Sequence, residues 1–204
     1  MLSSPESQLR RYAAWVTGTA VQNNPKAQGH LLQYKGVKKL VEKLDDEYSV
    51  RTKILYALGS VLNHFPAGIR QFAEAGGWGK LRKCVDGAEE GTECQRRVAF
   101  FFANYLAEDG VETKEIEEEG FLEGFVDILG SEKYANERDL LDKVRTDRIL
   151  LIQTVQAVSM LVTKRIGTSN PSTISKLKQL LPTLNHDSID HETLTTLEMS
   201  LKSL

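Results

Sequence analysis

The chain repeats itself. YAAWVTGTAVQNNP (residues 12–25) lies over KILYALGSVLNHFP (53–66) at a constant offset of 41, so that Trp15 meets Tyr56, Gly18 meets Gly59, Val21 meets Leu62 and Pro25 meets Pro66. Downstream segments keep step, with Gly36 over Gly77, Leu40 over Leu81 and Leu44 over Val85. A third copy follows at an offset of 44, where Gly59 meets Ala103, Gly76 meets Gly120, Leu81 meets Phe125 and Val85 meets Leu129. A fourth long apolar segment, ILLIQTVQAVSMLV (149–162), comes after a charged connector at 131–147.

Periodicity inside each copy is helical. Val37, Leu40, Val41 and Leu44 recur at i, i+3, i+4, i+7, and strand-like alternation is almost absent. One copy divides into a short first helix with proline in its first turn (PAGIRQFAEA), a break at Gly76-Gly77, a second helix (WGKLRKCV) and a long third helix (QRRVAFFFANYL). Three helices per period of this length select the armadillo type over the shorter tetratricopeptide and ankyrin units. The expected fold is all-α, a right-handed armadillo solenoid of three to four three-helix repeats over residues 1–166. Two amphipathic capping helices at 167–204, separated around Pro182 and Asp187, are expected to belong to the same domain. MLSSPESQLRRYAAW enters directly at a third helix, so the first layer is expected to be incomplete.

The glycines and prolines read as mechanical parts. Asn24-Pro25 and Phe65-Pro66 end one helix and start the next, and the Gln22-Asn23-Asn24 amides are expected to satisfy the carbonyls where the third helix stops. Gly76-Gly77 supplies a turn that needs positive φ or a missing side chain. Gly18, Gly59 and Ala103 share one third-helix position, where a small residue is expected to let the next layer approach closely.

Composition excludes more than it names. With 26 basic and 28 acidic residues the net charge is −2, which argues against a nucleic-acid binder. No apolar run is long enough for a membrane span. Cys84 and Cys94 have no metal-ligand spacing and read as buried small hydrophobes. His186 and His191, near Asp187, Asp190 and Glu192, lack further ligands at motif spacing and read as a solvated loop. GGWG at 76–79 lacks the Lys-Ser/Thr of a phosphate loop. Phe100, Phe101, Phe102 and Tyr105 read mainly as core, and the acidic run Glu115–Glu119 as a solvated face. No catalytic constellation emerges: the expectation is a protein that is not an enzyme, with no cofactor and no metal.

What is left is surface. Third helices line the concave face of an armadillo solenoid, so their polar residues are the binding candidates: Arg51, Lys53, Arg97, Asn104, Arg148 and Gln153. Arg97 stands out, because its planar fork can grip a carboxylate in two-pronged fashion.

The wording RRYAAWVTGTAVQNNPKAQ, followed by LLQYKGVKKLVEKL, VRTKILYALGSVLNHFP and RQFAEAGGWGKLRKCV, resembles the armadillo-type nucleotide exchange factors of DnaK-type (heat-shock-70) chaperones, most of all their fungal cytosolic branch. The resemblance spans about residues 8 to 165. It implies a co-chaperone that clasps lobe II of the chaperone's nucleotide-binding domain in its concave face. Opening of the nucleotide cleft then releases ADP and, after ATP entry, substrate. Arg97 matches the arginine that opens the family's corresponding third helix. The partner is thus expected to be a heat-shock-70 nucleotide-binding domain, with no nucleic acid and no membrane, bound by a cytoplasmic monomer. The alternative is an armadillo-type peptide adaptor or scaffold. Importin-type grooves carry repeated Trp-x-x-x-Asn pairs, whereas here Trp15 is followed by Thr19 and Tyr56 by Ser60, and only Phe100 to Asn104 comes close.

Overall fold

The computed structural model describes residues 1–86, 92–108, 110–111, 113–131, 145–184 and 189–204, with the side chains of 145–148 also left aside. Among the described residues there are twelve α-helices and no strand. They fall into two compact units, Met1–Val98 and Ala99–Leu204.

The first unit begins with α1 (Ser7–Val21), the long third helix of a first layer. A full triad follows, α2 (Pro25–Gln33), α3 (Gly36–Glu42) with a 3-10 turn at Lys43–Asp45, and α4 (Tyr48–Leu62). The next triad is α5 (Pro66–Glu74), α6 (Gly77–Asp86) and α7 (Glu93–Tyr105). The periods read in the sequence are therefore the structural periods: short helix opened by proline, short helix opened by glycine, long helix.

The breaks obey the same register. Asn23 and His64, aligned at the end of the third helices, both take positive φ (53° and 52°). Asn24 then caps α2, its Oδ1 accepting from Ala27 N–H at 3.1 Å. Its Nδ2 reaches back to Ala20 O at only 3.5 Å. The amide thus reaches a last-turn carbonyl of the old helix, as the sequence suggests, and more tightly starts the new one. Between first and second helices, Lys35, Gly76 and Gly120 sit at φ 54°, 70° and 67°. The two glycines of Gly76-Gly77 have different tasks. Gly76 supplies the left-handed turn, while a Cβ on Gly77 would overlap the Phe72 ring, as one on Gly36 would overlap Leu31.

Packing in this unit centres on α1 against α4. Ala13, Ala14, Gly18 and Val21 are buried on α1, and Val50, Ile54, Ala57 and Val61 are fully buried on α4. A Cβ on Gly18 would stand 2.9 Å from Ala57 Cα and 2.6 Å from Tyr56 Cε1, so the helices touch backbone to backbone there. Gly59, at the same register, has no described atom within 4 Å of that point. Close approach explains Gly18 and not Gly59, which is half-exposed and meets open space.

Arg10 fastens this seam at its edge. Its Nε and Nη2 donate to the two carboxylate oxygens of Asp46, both at 2.7 Å, and its Nη1 donates to Ser4 O and Pro5 O. The hydrogen bond and the charge of Arg10 hold the Asp46 carboxyl below the usual aspartate range.

The second unit contains the end of α7, then α8 (Lys114–Glu118), α9 (Phe121–Leu129), α10 (Arg145–Thr163), α11 (Pro171–Leu180), a 3-10 turn at Leu181–Leu184, and α12 (His191–Lys202). Its core is aromatic: Phe102, Phe121 and Phe125 are fully buried, with Phe102 and Phe121 centroids 4.4 Å apart. Ile116 is the buried residue of the acidic run, and Glu115, Glu117, Glu118 and Glu119 are exposed, as the solvated-face reading requires. Phe102 and Tyr105 are core as expected, but Phe100 is 56% exposed. Helix α12 packs along α10, and α11 on α9, where Lys176 meets Asp127 at 2.5 Å. Asn170 and Asp190 cap these two helices by accepting from backbone N–H groups. Pro182 lies in the 3-10 turn after α11; Asp187 and most of the 131–147 connector lie outside the described residues.

Candidate functional site

The long helices of the first unit bring their register-equivalent residues to one face. Tyr12, Lys53 and Arg97 occupy one position of α1, α4 and α7, and Trp15 and Tyr56 stand one turn further along α1 and α4. Each cation reaches the ring of the layer before it. Lys53 Nζ lies 5.6 Å from the Trp15 ring centroid, and Arg97 Cζ lies 5.6 Å from that of Tyr56. At the outer edge Arg11 Cζ lies 5.8 Å from the Tyr12 ring on its own helix, and Tyr12 and Trp15 are 6.5 Å apart. Such contacts contribute about 0.5–1 kcal/mol each at exposed sites, which biases a flexible cation toward the ring.

Hydrogen bonds fix the remaining groups. Tyr56 O–H donates to Gln22 Oε1 at 3.2 Å and lies 3.4 Å from Thr19 Oγ1. Glu93, in the first turn of α7 where the helix dipole favours a carboxylate, accepts from Arg96 and from Arg97 at 2.7 Å. Glu93 N–H donates to Tyr48 Oη at 3.1 Å. Arg97 is thus oriented from two sides, by the carboxylate four residues before it and by the Tyr56 ring beneath it. Among the described residues no acceptor lies on its buried Nε. The Trp15 side of the face is open, with Trp15 50%, Tyr12 40% and Val16 64% exposed.

Sequence reasoning picked two members of this face, Lys53 and Arg97. Arg51 faces elsewhere: its Nη2 donates to Asp46 O at 2.9 Å, which makes it a brace for the turn before α4. Asn104, in the second unit, is exposed and its Nδ2 donates to Phe100 O at 2.7 Å. Gln153 is half-buried on α10, with no described hydrogen-bond partner on its buried Oε1. Arg148 lies on α10, its side chain outside the described residues. Trp15, Tyr56, Tyr12, Arg11 and Glu93 were not picked. The signal was present, since an aromatic in one copy and a basic residue three positions earlier in the next recur at the repeat offset.

The other candidate chemistries have these places. His186 and Asp187 lie outside the described residues, and among those described no histidine, cysteine and carboxylate group is arranged to hold a metal. Asp190 is a helix cap; its carboxyl sits below the usual range because Thr193 hydrogen-bonds to it. Cys84 and Cys94 are both buried, as the small-hydrophobe reading requires. Among the described residues no helix is long and apolar enough to cross a membrane.

Comparison with known proteins agrees with this architecture. The described fold resembles an engineered protein of solved structure (TM-score 0.75, 20% identity, covering 100% of this chain and 78% of that one). It also resembles a designed armadillo repeat protein (TM-score 0.58, 19% identity, covering 100% and 96%). In sequence it is similar to the Hsp70 nucleotide exchange factor FES1 of Mycosarcoma maydis, 38% identical over 110 residues, which are 53% of this chain and 28% of that protein. The fes1 protein of Schizosaccharomyces pombe is 39% identical over 111 residues, 53% of this chain and 38% of the relative. The nucleotide exchange factor SIL1 of Rattus norvegicus is 38% identical over 86 residues, covering 41% and 18%. The chain thus spans well under half the length of the curated relatives it matches. The family model described as the SIL1/FES1/HPBP1 C-terminal domain matches residues 1–123, the stretch that holds α1, α4 and α7. The chain belongs to the SIL1/FES1/HPBP1 C-terminal domain family.

Proposed function

We propose that the chain is a nucleotide exchange factor for a heat-shock-70 chaperone. In this reading it holds lobe II of the chaperone's nucleotide-binding domain through the third-helix face. The observation that carries the reading is the coincidence of two facts. The family match covers residues 1–123, and inside that stretch one face gathers the exposed Trp15 with the half-buried Lys53, Tyr56 and Arg97.

The work required is conformational. A clasp that fits the chaperone only when its nucleotide cleft is open shifts the population toward that state, whose affinity for ADP is low. Coupling is reciprocal, so ADP must weaken the clasp by the same factor, typically 5- to 150-fold for about 1–3 kcal/mol. No bond is made or broken by this chain, so an oriented, partly open face is sufficient equipment. Arg97 and Lys53 are the proposed contacts, with Asn104 further along α7 and Arg148 and Gln153 on α10 as further candidates. Action as a cytoplasmic monomer belongs to the same reading, supported by the first-repeat wording shared with the fungal cytosolic branch.

The test is release of a fluorescent ADP analogue from a heat-shock-70 chaperone with and without the chain. Acceleration of at least about tenfold is expected, and Arg97→Ala should lose most of it with the circular-dichroism spectrum unchanged. Binding without acceleration would favour an adaptor, and absence of binding to any such chaperone would sink the proposal.

A further inference from the structure

Charge is segregated in the first unit in a way that the overall balance hides. Helices α1, α4 and α7 together carry Arg10, Arg11, Arg51, Lys53, Arg96 and Arg97 against a single carboxylate, Glu93, in a chain whose net charge is −2. Some of these cations are engaged within the unit: Arg10 by Asp46, Arg51 by the Asp46 carbonyl, and Arg96 and Arg97 by Glu93. Lys53 and Arg11 differ. Among the described residues neither meets a carboxylate, and each is held against a ring instead.

We infer that this face reads carboxylates on its protein partner, with Lys53 and Arg97 as the cationic contacts and Trp15 as the apolar anchor beside them. The inference rests on the exchange-factor reading for the partner's identity and adds its surface chemistry. A cation resting on a ring is oriented without being neutralised. Its outer side stays available to an anion, and part of its side-chain freedom is already restricted before contact. Arg97, its side chain 23% exposed, adds a second guanidinium cation oriented by Glu93 and the Tyr56 ring. Trp15 is a large, half-exposed ring of the kind that anchors interfaces. Basic peptides are disfavoured by repulsion from the same cations.

The test measures binding of the chain to a heat-shock-70 nucleotide-binding domain across salt concentrations, for wild type, Lys53→Gln, Lys53→Arg, Arg97→Gln and Trp15→Ala. Lys53→Gln should weaken binding about tenfold at low salt and flatten the salt dependence, while Lys53→Arg keeps both. Trp15→Ala should weaken binding at every salt concentration. In parallel, a glutamate-rich peptide should bind in a Lys53-dependent manner, and a lysine-rich peptide or a single-stranded oligonucleotide should not. Wild-type binding to the chaperone with Lys53→Gln and Arg97→Gln unaffected would overturn this inference and leave the exchange-factor reading standing. If wild type binds no chaperone, that reading falls and the acidic peptide alone decides: failure to bind it overturns the inference, as does preference for the oligonucleotide.

Discussion

Arg10 grips Asp46 with both arms of its carboxylate engaged, each oxygen 2.7 Å from a guanidinium nitrogen, and the two side chains are only 11% and 8% exposed. This pair joins the first turn of α1 to the turn that opens α4. It secures the angle at which the two helices present Trp15 and Lys53 to one another. The stacking face is therefore supported from a point well removed from the rings themselves.

Because the Asp46 carboxyl is held below its ordinary value, the sign of its pH dependence is fixed. The stabilisation is fully present above the unfolded aspartate value of about 3.9 and is lost as pH falls through the lower, folded value. Thermal unfolding followed by circular dichroism from pH 7 to 2 should show a falling melting temperature in the acid range. Asp46→Asn should start lower at pH 7 and show a shallower acid limb. An identical limb in the variant would remove Asp46 from this account.

Gly18 and Gly59 share a register and should respond oppositely to alanine. Gly18→Ala drives a methyl into Tyr56 and the Ala57 backbone and should cost about 1–3 kcal/mol. Gly59→Ala fills open space on a helix and should gain about 0.5–1 kcal/mol. Urea midpoints of the two variants check both signs.

Lys35 takes a left-handed conformation that its counterparts Gly76 and Gly120 adopt without strain. Lys35→Gly should leave stability unchanged or raise it by up to about 1 kcal/mol. Gly77→Ala, which collides with the Phe72 ring, should lower it by about 1–3 kcal/mol. A destabilised Lys35→Gly would mean that the lysine side chain contributes more than its backbone strain costs.

The two tryptophans offer a spectroscopic reporter, since Trp15 is half-exposed and Trp78 is 4% exposed. With Trp78→Phe to silence the buried ring, saturation with the chaperone should protect Trp15 from acrylamide quenching. Unchanged quenching in a saturated complex would move the docking surface elsewhere.

Much of this was written plainly in the sequence, for a physical reason. Repeat offsets, proline-opened helices and glycine turns are local, so Pro25, Pro66, Gly76 and Gly120 could be assigned without knowing any distant contact. Lys35 was harder, because a lysine gives no local hint that it occupies the glycine position. Lys53 and Arg97 were legible as cations on third helices, but Arg51 was not separable from them. Residues two positions apart on a helix are rotated by about 200°, which sends Arg51 to the Asp46 turn and Lys53 to the ring. Trp15 and Tyr56 were seen as landmarks of the repeat, and their pairing with cations of the following copy needs the packing of α1 on α4 to be known.

That pairing carries a consequence for how small such a surface can be. Trp15 depends on a lysine that arrives 38 residues later, and Tyr56 on an arginine 41 residues later. An isolated repeat would own Trp15 without Lys53, or Arg97 without Tyr56. The recognition unit is the junction between layers, so trimming the chain to one layer would erase it while sparing every residue type that a motif search would look for.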